Sequence, residues 1–207
     1  MIRNSGAGSR NMVSGSWEPA SKYQPSDARR RTPQKNRTMN NIEIERKFLV
    51  LNEDYKQLAT SHYTIQQGYI CKEPGRTVRV RIMTQADGSE KAFLTIKSKP
   101  NANGFSRFEW EKEIAPTDAK QLIDMCLPGV IEKTRWLIPA APMPLHLTPH
   151  TATESPHLTW EVDEFHGRLA GLTIAELELE SEDQPYKKLS FVGEEVTGNP
   201  RYYNANM

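Results

Sequence analysis

Cysteine is almost missing: Cys71 and Cys126 are the only two in 207 residues, far apart and outside any metal-ligand spacing. Neither a disulfide framework nor a cysteine-built metal site is indicated, which suits a reducing cytoplasm. An excess of one charge is missing too. With 27 basic and 26 acidic residues the net charge is +1, so no whole-molecule field points to nucleic acid or to a membrane surface. No apolar run is long enough to span a bilayer, and no apolar h-region marks a secretory signal. There is no P-loop, no glycine-rich dinucleotide loop and no Ser/His/Asp set in a defining context. The five histidines lack ligand spacing. Hydrophobic residues make up 37%, low for a globular domain, so either much of the chain is surface or part of the interior is polar.

Residues Met1 to Asn40 are rich in Gly, Ser, Asn, Pro and Arg, include Arg29-Arg30-Arg31 and hold few aliphatics. They are expected to form a disordered leader ahead of one domain over 41–207. The Arg- and Ser-rich, acid-poor composition also fits an organelle transit peptide. Against that reading, Trp17-Glu18-Pro19 and the prolines spoil an amphipathic helix, and Met39 offers an alternative start.

What the chain does have is charge at a period of two. In Ile42 to Val50 a strand places Glu43, Glu45 and Lys47 on one face and Ile44 and Phe48 on the other. Tyr63–Ile70 reads as a second strand, and the pattern recurs in Thr77–Ile82 (Arg79, Arg81), Lys91–Lys99 (Phe93, Thr95, Lys97) and Phe108–Ile114 (Glu109, Glu111, Glu113). It recurs again in Val130–Ile138 (Lys133, Arg135), Leu158–Phe165 (Glu161, Asp163) and Thr173–Glu180 (Glu176, Glu178, Glu180). Pro74-Gly75, Asp87-Gly88 and Asn103-Gly104 mark turns. Short helices are expected after Asn52, over Ala119–Cys126 and over Gln184–Phe191, and a long mobile loop over 139–157. About eight antiparallel strands with a few helices at the connections predict a mainly β fold that closes into a barrel.

Two arrangements fit such a barrel: an apolar core with charge outside, or a charged interior with apolar walls covered by helices. Two features favour the second. The amphipathic helices need an apolar surface to cover, which the aliphatic strand faces provide. The charges are also sorted by strand, and like charges two apart on one face repel in a solvated ladder. Sorted rows make sense facing a charged ligand. The bases Lys47, Arg79, Arg81, Lys97, Lys133 and Arg135 suit a polyanion, with guanidinium forks matching phosphate oxygens. The clustered carboxylates suit a hard divalent cation, Mg²⁺ or Mn²⁺. A polyphosphate with its metal satisfies both.

The ordered set Glu43-x-Glu45-x-Lys47, Gln67-Gly68-Tyr69, Arg79-x-Arg81, Thr95-Ile96-Lys97, Glu109-x-Glu111, Glu132-Lys133-x-Arg135, Trp160-Glu161-Val162-Asp163, Ala175-Glu176-Leu177-Glu178 and Glu195 to Tyr202 resembles the CYTH, or triphosphate tunnel metalloenzyme, superfamily. In particular it looks like the short bacterial members that prefer inorganic tripolyphosphate. The likeness runs from about Asn41 to Met207. It implies an eight-stranded antiparallel tunnel hydrolysing triphosphates with a divalent metal, with the bases on the phosphates. Glu43, Glu45, Glu176 and Glu178 would hold one metal, and Glu109, Glu111, Glu161 and Asp163 would complete the acidic side for a second. Tyr69 would pair with Lys47 as a specificity dyad, and the tail from Glu195 would plug one tunnel end. The same resemblance covers nucleoside or thiamine triphosphate hydrolysis and adenylyl cyclase chemistry. A non-catalytic polyphosphate-binding module is the reading from another class. The chain is expected to act as a monomer or homodimer, without nucleic acid or membrane partners.

Overall fold

Alternation of apolar and charged residues along each strand becomes alternation of outside and inside in the computed structural model, which describes residues 42–102, 106–140 and 158–207. The expected leader, and the expected loop apart from its first residues, lie outside the described residues. In chain order the elements are β1 (Ile42–Val50), α1 (Tyr55–Leu58), β2 (Ser61–Glu73), β3 (Arg76–Thr84), β4 (Glu90–Ser98) and β5 (Ser106–Ile114). Then follow α2 (Pro116–Asp124), β6 (Ile131–Pro139), β7 (Thr159–Phe165), β8 (Thr173–Leu179) and β9 (Val192–Glu195). Single 3-10 turns cover Gly167–Leu169, Pro200–Tyr202 and Asn204–Asn206.

All nine strands join one sheet in the order β5-β4-β3-β2-β6-β7-β8-β1-β9, and β5 also pairs with β1. That last pairing, Ile42 with Phe108 through Ile44 with Ser106, closes the first eight strands into an antiparallel barrel. Every pairing is antiparallel, and short turns join β2 to β3 and β3 to β4. Gly75 (φ +91) and Gly88 (φ +80) supply the positive φ there.

Much of the outer wall is apolar and covered, while Ile42, Ile96, Phe108 and Trp110 on β1, β4 and β5 stay exposed. Helix α2, with Pro116 at its first turn, lays Ala119 and Ile123 on Val80, Ile82 and Ala92. On the far side Phe48, Trp160, Val162, Ala175 and Leu177 form a second core with Tyr55 of α1 and Phe191. Inside the barrel, a third cluster joins the inward-facing Tyr69, Ile131, Phe165 and Ile174 to Tyr202, Ala205 and Met207 at the end of the chain. Among the described residues no helix is long and apolar enough to cross a membrane.

One expected element is absent. Residues 184–191 form no helix. The Gln184 side chain accepts from the Glu180 N–H at 2.6 Å, and the following segment runs over the barrel wall. There Tyr186 packs edge-on to Phe48 and Trp160, with centroids 6.1 and 6.0 Å away, and Phe191 reaches Trp160 at 6.3 Å. Covering that wall outweighs the weak local preference for helix. The segment ends in β9, which the sequence pattern did not reveal. It pairs Glu195 with Phe48 and Val192 with Val50.

Candidate functional site: a charged belt inside the barrel

Direct cross-strand partners share a face, so the register alone shows which side chains meet inside. Lys47 pairs with Glu176, Glu45 with Glu178 and Glu43 with Arg107. Glu161 pairs with Glu176 and Arg135 with Asp163. Tyr69 pairs with Arg79, Arg79 with Thr95, Thr95 with Glu111 and Lys97 with Glu109. The barrel therefore gathers the expected bases and carboxylates on its interior face.

Sorted by strand, these charges neutralise one another between strands. The Lys97 ammonium lies 2.7 Å from Glu43 and 2.9 Å from Glu109, joining β1 to β5. Arg107 donates to Glu43 at 2.9 Å and to Glu45 at 3.0 Å. Lys47 binds Glu45 at 3.2 Å and, more closely, Glu176. Arg135 grips both oxygens of Asp163, at 2.7 and 2.6 Å, and also reaches Glu176 at 2.8 Å and Glu161. Lys133 binds Asp163, and both of these side chains are essentially sealed from solvent. Arg79 and Arg81 share Glu111, at 3.3 and 3.1 Å, with the Thr95 hydroxyl donating to the same carboxylate at 2.7 Å. The ion pairs form two groups, one of Arg79, Arg81 and Glu111 and one running from Lys97 through Glu43, Arg107, Glu45, Lys47 and Glu176 to Arg135, so that the buried charges are paired as burial requires.

The backbone holds β1 in place from behind. The Val196 N–H bonds to the Lys47 carbonyl at 2.8 Å, and the Lys47 N–H to Thr197 Oγ1 at 2.9 Å. The C-terminal segment thus fixes the strand that carries Glu43, Glu45 and Lys47.

Burial and neighbours pull the titrating groups apart. Burial raises Glu43, but Lys97 and Arg107 outweigh it and hold the carboxyl well below the usual range. In the same way Lys47 and Arg135 overcome burial at Glu176 and keep it ionised. Burial lowers Lys47, but Glu176 and Glu45 more than offset this and raise it. Lys133 goes the other way. Burial, with Arg135 close by, outweighs Asp163 and pushes it down to about 8. Asp163 itself stays low, because Arg135 and Lys133 together overcome its burial. Glu109 is raised by burial and by Glu43, and Glu161 by burial and by Glu176 and Asp163 against Arg135.

Among the described residues no three His, Cys, Asp or Glu side chains form a ready-made cluster for a metal ion. The expected ligands are distributed instead as neighbouring acids held by bases: Glu43 beside Glu109, Glu45 opposite Glu178, and Glu161 opposite Glu176. Carboxylates facing each other across strands are unfavourable without a cation, and their all-oxygen donor set fits a hard divalent ion. Tyr69 also lies inside. Its Oη accepts from Gln67 Nε2 at 3.4 Å, while the Lys47 ammonium is engaged by Glu45 and Glu176.

Sequence reasoning named Gln67 only within Gln67-Gly68-Tyr69 and gave no role to it, to Arg107 or to Tyr63, all of which face inward. Arg107 and Gln67 stand two residues before Glu109 and Tyr69 respectively, so the period of two was enough to find them. Tyr63 pairs with Arg135 by register and is buried.

The CYTH domain family model matches residues 41–205, and the chain belongs to that family. Among its relatives, the inorganic triphosphatase of Acetivibrio thermocellus is 39% identical over 166 residues, covering 80% of this chain and 92% of that protein. The inorganic triphosphatase of Nitrosomonas europaea is 33% identical over 166 residues, covering 78% and 93%. A solved structure of an inorganic triphosphatase is 29% identical, covers 79% of this chain and 92% of that one, and superposes with a TM-score of 0.48.

Proposed function

We infer that this chain hydrolyses the terminal phosphoanhydride of inorganic tripolyphosphate inside its barrel, with the help of a divalent metal. One observation carries the reading: a closed barrel whose interior face is a belt of bases and carboxylates. The relatives named inorganic triphosphatase support it.

The bases Lys47, Arg79, Arg81, Lys97, Lys133 and Arg135 bind the anionic chain of the substrate, and arginine forks fix its orientation. Their side chains are largely buried, so their charge is weakly screened and already in position. Lys47 and Tyr69 serve the scissile phosphoryl group, the first by charge and the second by its hydroxyl. Glu43, Glu45, Glu176 and Glu178 would hold the metal, with Glu109, Glu111, Glu161 and Asp163 as a second set. When bound, Mg²⁺ or Mn²⁺ supplies charge neutralisation at the phosphoryl oxygens and activation of water. The remaining work is positioning, as expected for phosphoryl transfer. Cys71 and Cys126 are both unpaired, in keeping with a reducing cytoplasm as the place of action.

The test is phosphate release from tripolyphosphate, ATP, thiamine triphosphate and pyrophosphate, each with Mg²⁺, Mn²⁺ or EDTA. Preference for tripolyphosphate, lost in EDTA, is the expected outcome. Preference for a nucleotide would move the substrate assignment while keeping the site.

A further inference from the structure

Gln67 is completely buried on the interior face of β2. Its register partners are Arg81 on β3 and Ile131 on β6, which puts it beside the bases proposed to bind phosphate. Its Nε2 donates to Tyr69 Oη at 3.4 Å, and its Oε1 has no hydrogen-bond partner. Two more buried polar atoms without partners, Arg79 Nε and Arg81 Nε, belong to the residues directly opposite Tyr69 and Gln67 on β3. The two unpartnered guanidinium N–H donors cost free energy that a phosphoryl oxygen between them and Tyr69 would relieve.

The backbone around this pair is fixed. The β2–β3 register shifts between Tyr69 and Cys71, a bulge of the kind that re-aims a side chain. The Leu127 N–H binds the Tyr69 carbonyl at 2.9 Å. Gly68 lies between the two residues, and a Cβ there would come within 2.6 Å of Cys126 Sγ and 2.8 Å of its Cβ. The chain just after α2 is therefore pressed against the outside of the wall, directly behind Gln67 and Tyr69.

A phenol oxygen accepts and donates at once. With Gln67 Nε2 donating to it, Tyr69 keeps its own proton for another partner. We propose that Gln67 is a positioning residue: its amide holds Tyr69 so that the phenol donates its hydrogen bond to a phosphoryl oxygen of the bound triphosphate. Burial raises the pKa of Tyr69 against the opposing pull of Arg79, Arg107 and Lys47, so the group acts as a neutral donor and not as a phenolate base. The inference rests on the function proposed above.

Two variants and a coupling measurement test it. Gln67→Met keeps the shape and removes both polar atoms, whereas Gln67→Glu leaves an acceptor only. Gln67→Met should lower kcat for tripolyphosphate about three- to tenfold, the scale of one orienting hydrogen bond. Its KM should stay within about twofold, since the gripping bases are untouched. Added to Tyr69→Phe, it should cost nothing further, because there is no phenol left to orient. Gln67→Glu should lose at least as much as Gln67→Met, since a carboxylate would draw the phenol proton towards itself. Losses that multiply in the double variant, or wild-type kcat in Gln67→Glu, would overturn the proposal. A purely structural role would lower the melting temperature and leave the losses independent of Tyr69, which also overturns it. Should Gln67→Met fail to fold, the comparison of Gln67→Glu with Tyr69→Phe decides the matter. Absence of tripolyphosphate turnover in the wild type sinks the functional reading and this inference with it. Loss of coupling in an active enzyme sinks this inference alone.

Discussion

Glu161 on β7 and Glu176 on β8 are direct cross-strand partners, and the Arg135 guanidinium binds both while also gripping Asp163. Like charges in that position repel, so Arg135 is the counter-ion that lets the two strands pair in the absence of other cations. Replacing it by methionine takes a counter-ion from three carboxylates at once, leaving Glu176 to Lys47 and Asp163 to Lys133. Arg135→Met should cost about 3–5 kcal/mol in chemical denaturation of the metal-free protein. A loss below about 1 kcal/mol, the scale of a surface pair, would mean the belt is not an energetic unit.

The metal assignment is tested at Glu45, which accepts from Lys47 and Arg107. Glu45→Gln preserves shape and most hydrogen bonding but removes the charge. Turnover should fall about a hundredfold or more, on the scale of losing one preorganised electrostatic group. The melting temperature should hardly move. Near wild-type activity at saturating Mg²⁺ would remove Glu45 from the ligand set.

Ligand binding should be visible as stability. Tripolyphosphate with Mg²⁺ at about a hundred times its Kd should add about 2.7 kcal/mol by mass action. For a domain of this size that is a rise of about 5–10 °C in Tm. A melting curve indifferent to the ligand would speak against an interior site.

Acid should loosen the metal-free barrel. The Glu43 and Glu176 carboxyls are held below their ordinary value of 4.5 by Lys97 and Arg107 and by Lys47 and Arg135 respectively, against the effect of burial. A depressed carboxylate contributes stability that is present above its unfolded pKa and lost as pH falls through the folded one. Melting temperature should thus drop as pH falls below about 4.5, and Glu176→Gln should shallow that drop. A profile unchanged by the substitution would contradict the ion-pair origin.

Substrate preference turns on Tyr69. Tyr69→Phe should cut kcat for tripolyphosphate about ten- to a hundredfold, with much less change in KM and a smaller loss on ATP. Equal, small losses on both substrates would leave Tyr69 a packing residue beside Ile131 and Phe165.

The period of two carried most of this site. Once each of β1, β3, β5, β7 and β8 shows charge on alternate residues, closure into a barrel decides which face is interior. The amphipathic pattern of α2 already argued that the apolar face was the covered one. Pairing was not readable: nothing local says that Lys97 will sit between Glu43 and Glu109, since that depends on the β1–β5 seam closing 64 residues apart in sequence, at Glu43 and Arg107. The stretch 184–191 misled for a related reason, because Tyr186 and Phe191 obey a distant wall of Phe48 and Trp160 and not their own spacing. Arg107 was within reach but hid at the strand's first turn of alternation.

The central claim, that the charged interior is a metal-dependent triphosphate site, is tested most directly by following tripolyphosphate with phosphorus NMR. The wild type with Mg²⁺ or Mn²⁺ should release one phosphate and one pyrophosphate per substrate, with none released in EDTA, and the phosphate-gripping variant Arg81→Gln should cut the reaction about a hundredfold. Cleavage that persists in EDTA, or that Arg81→Gln leaves at the wild-type rate, would contradict it.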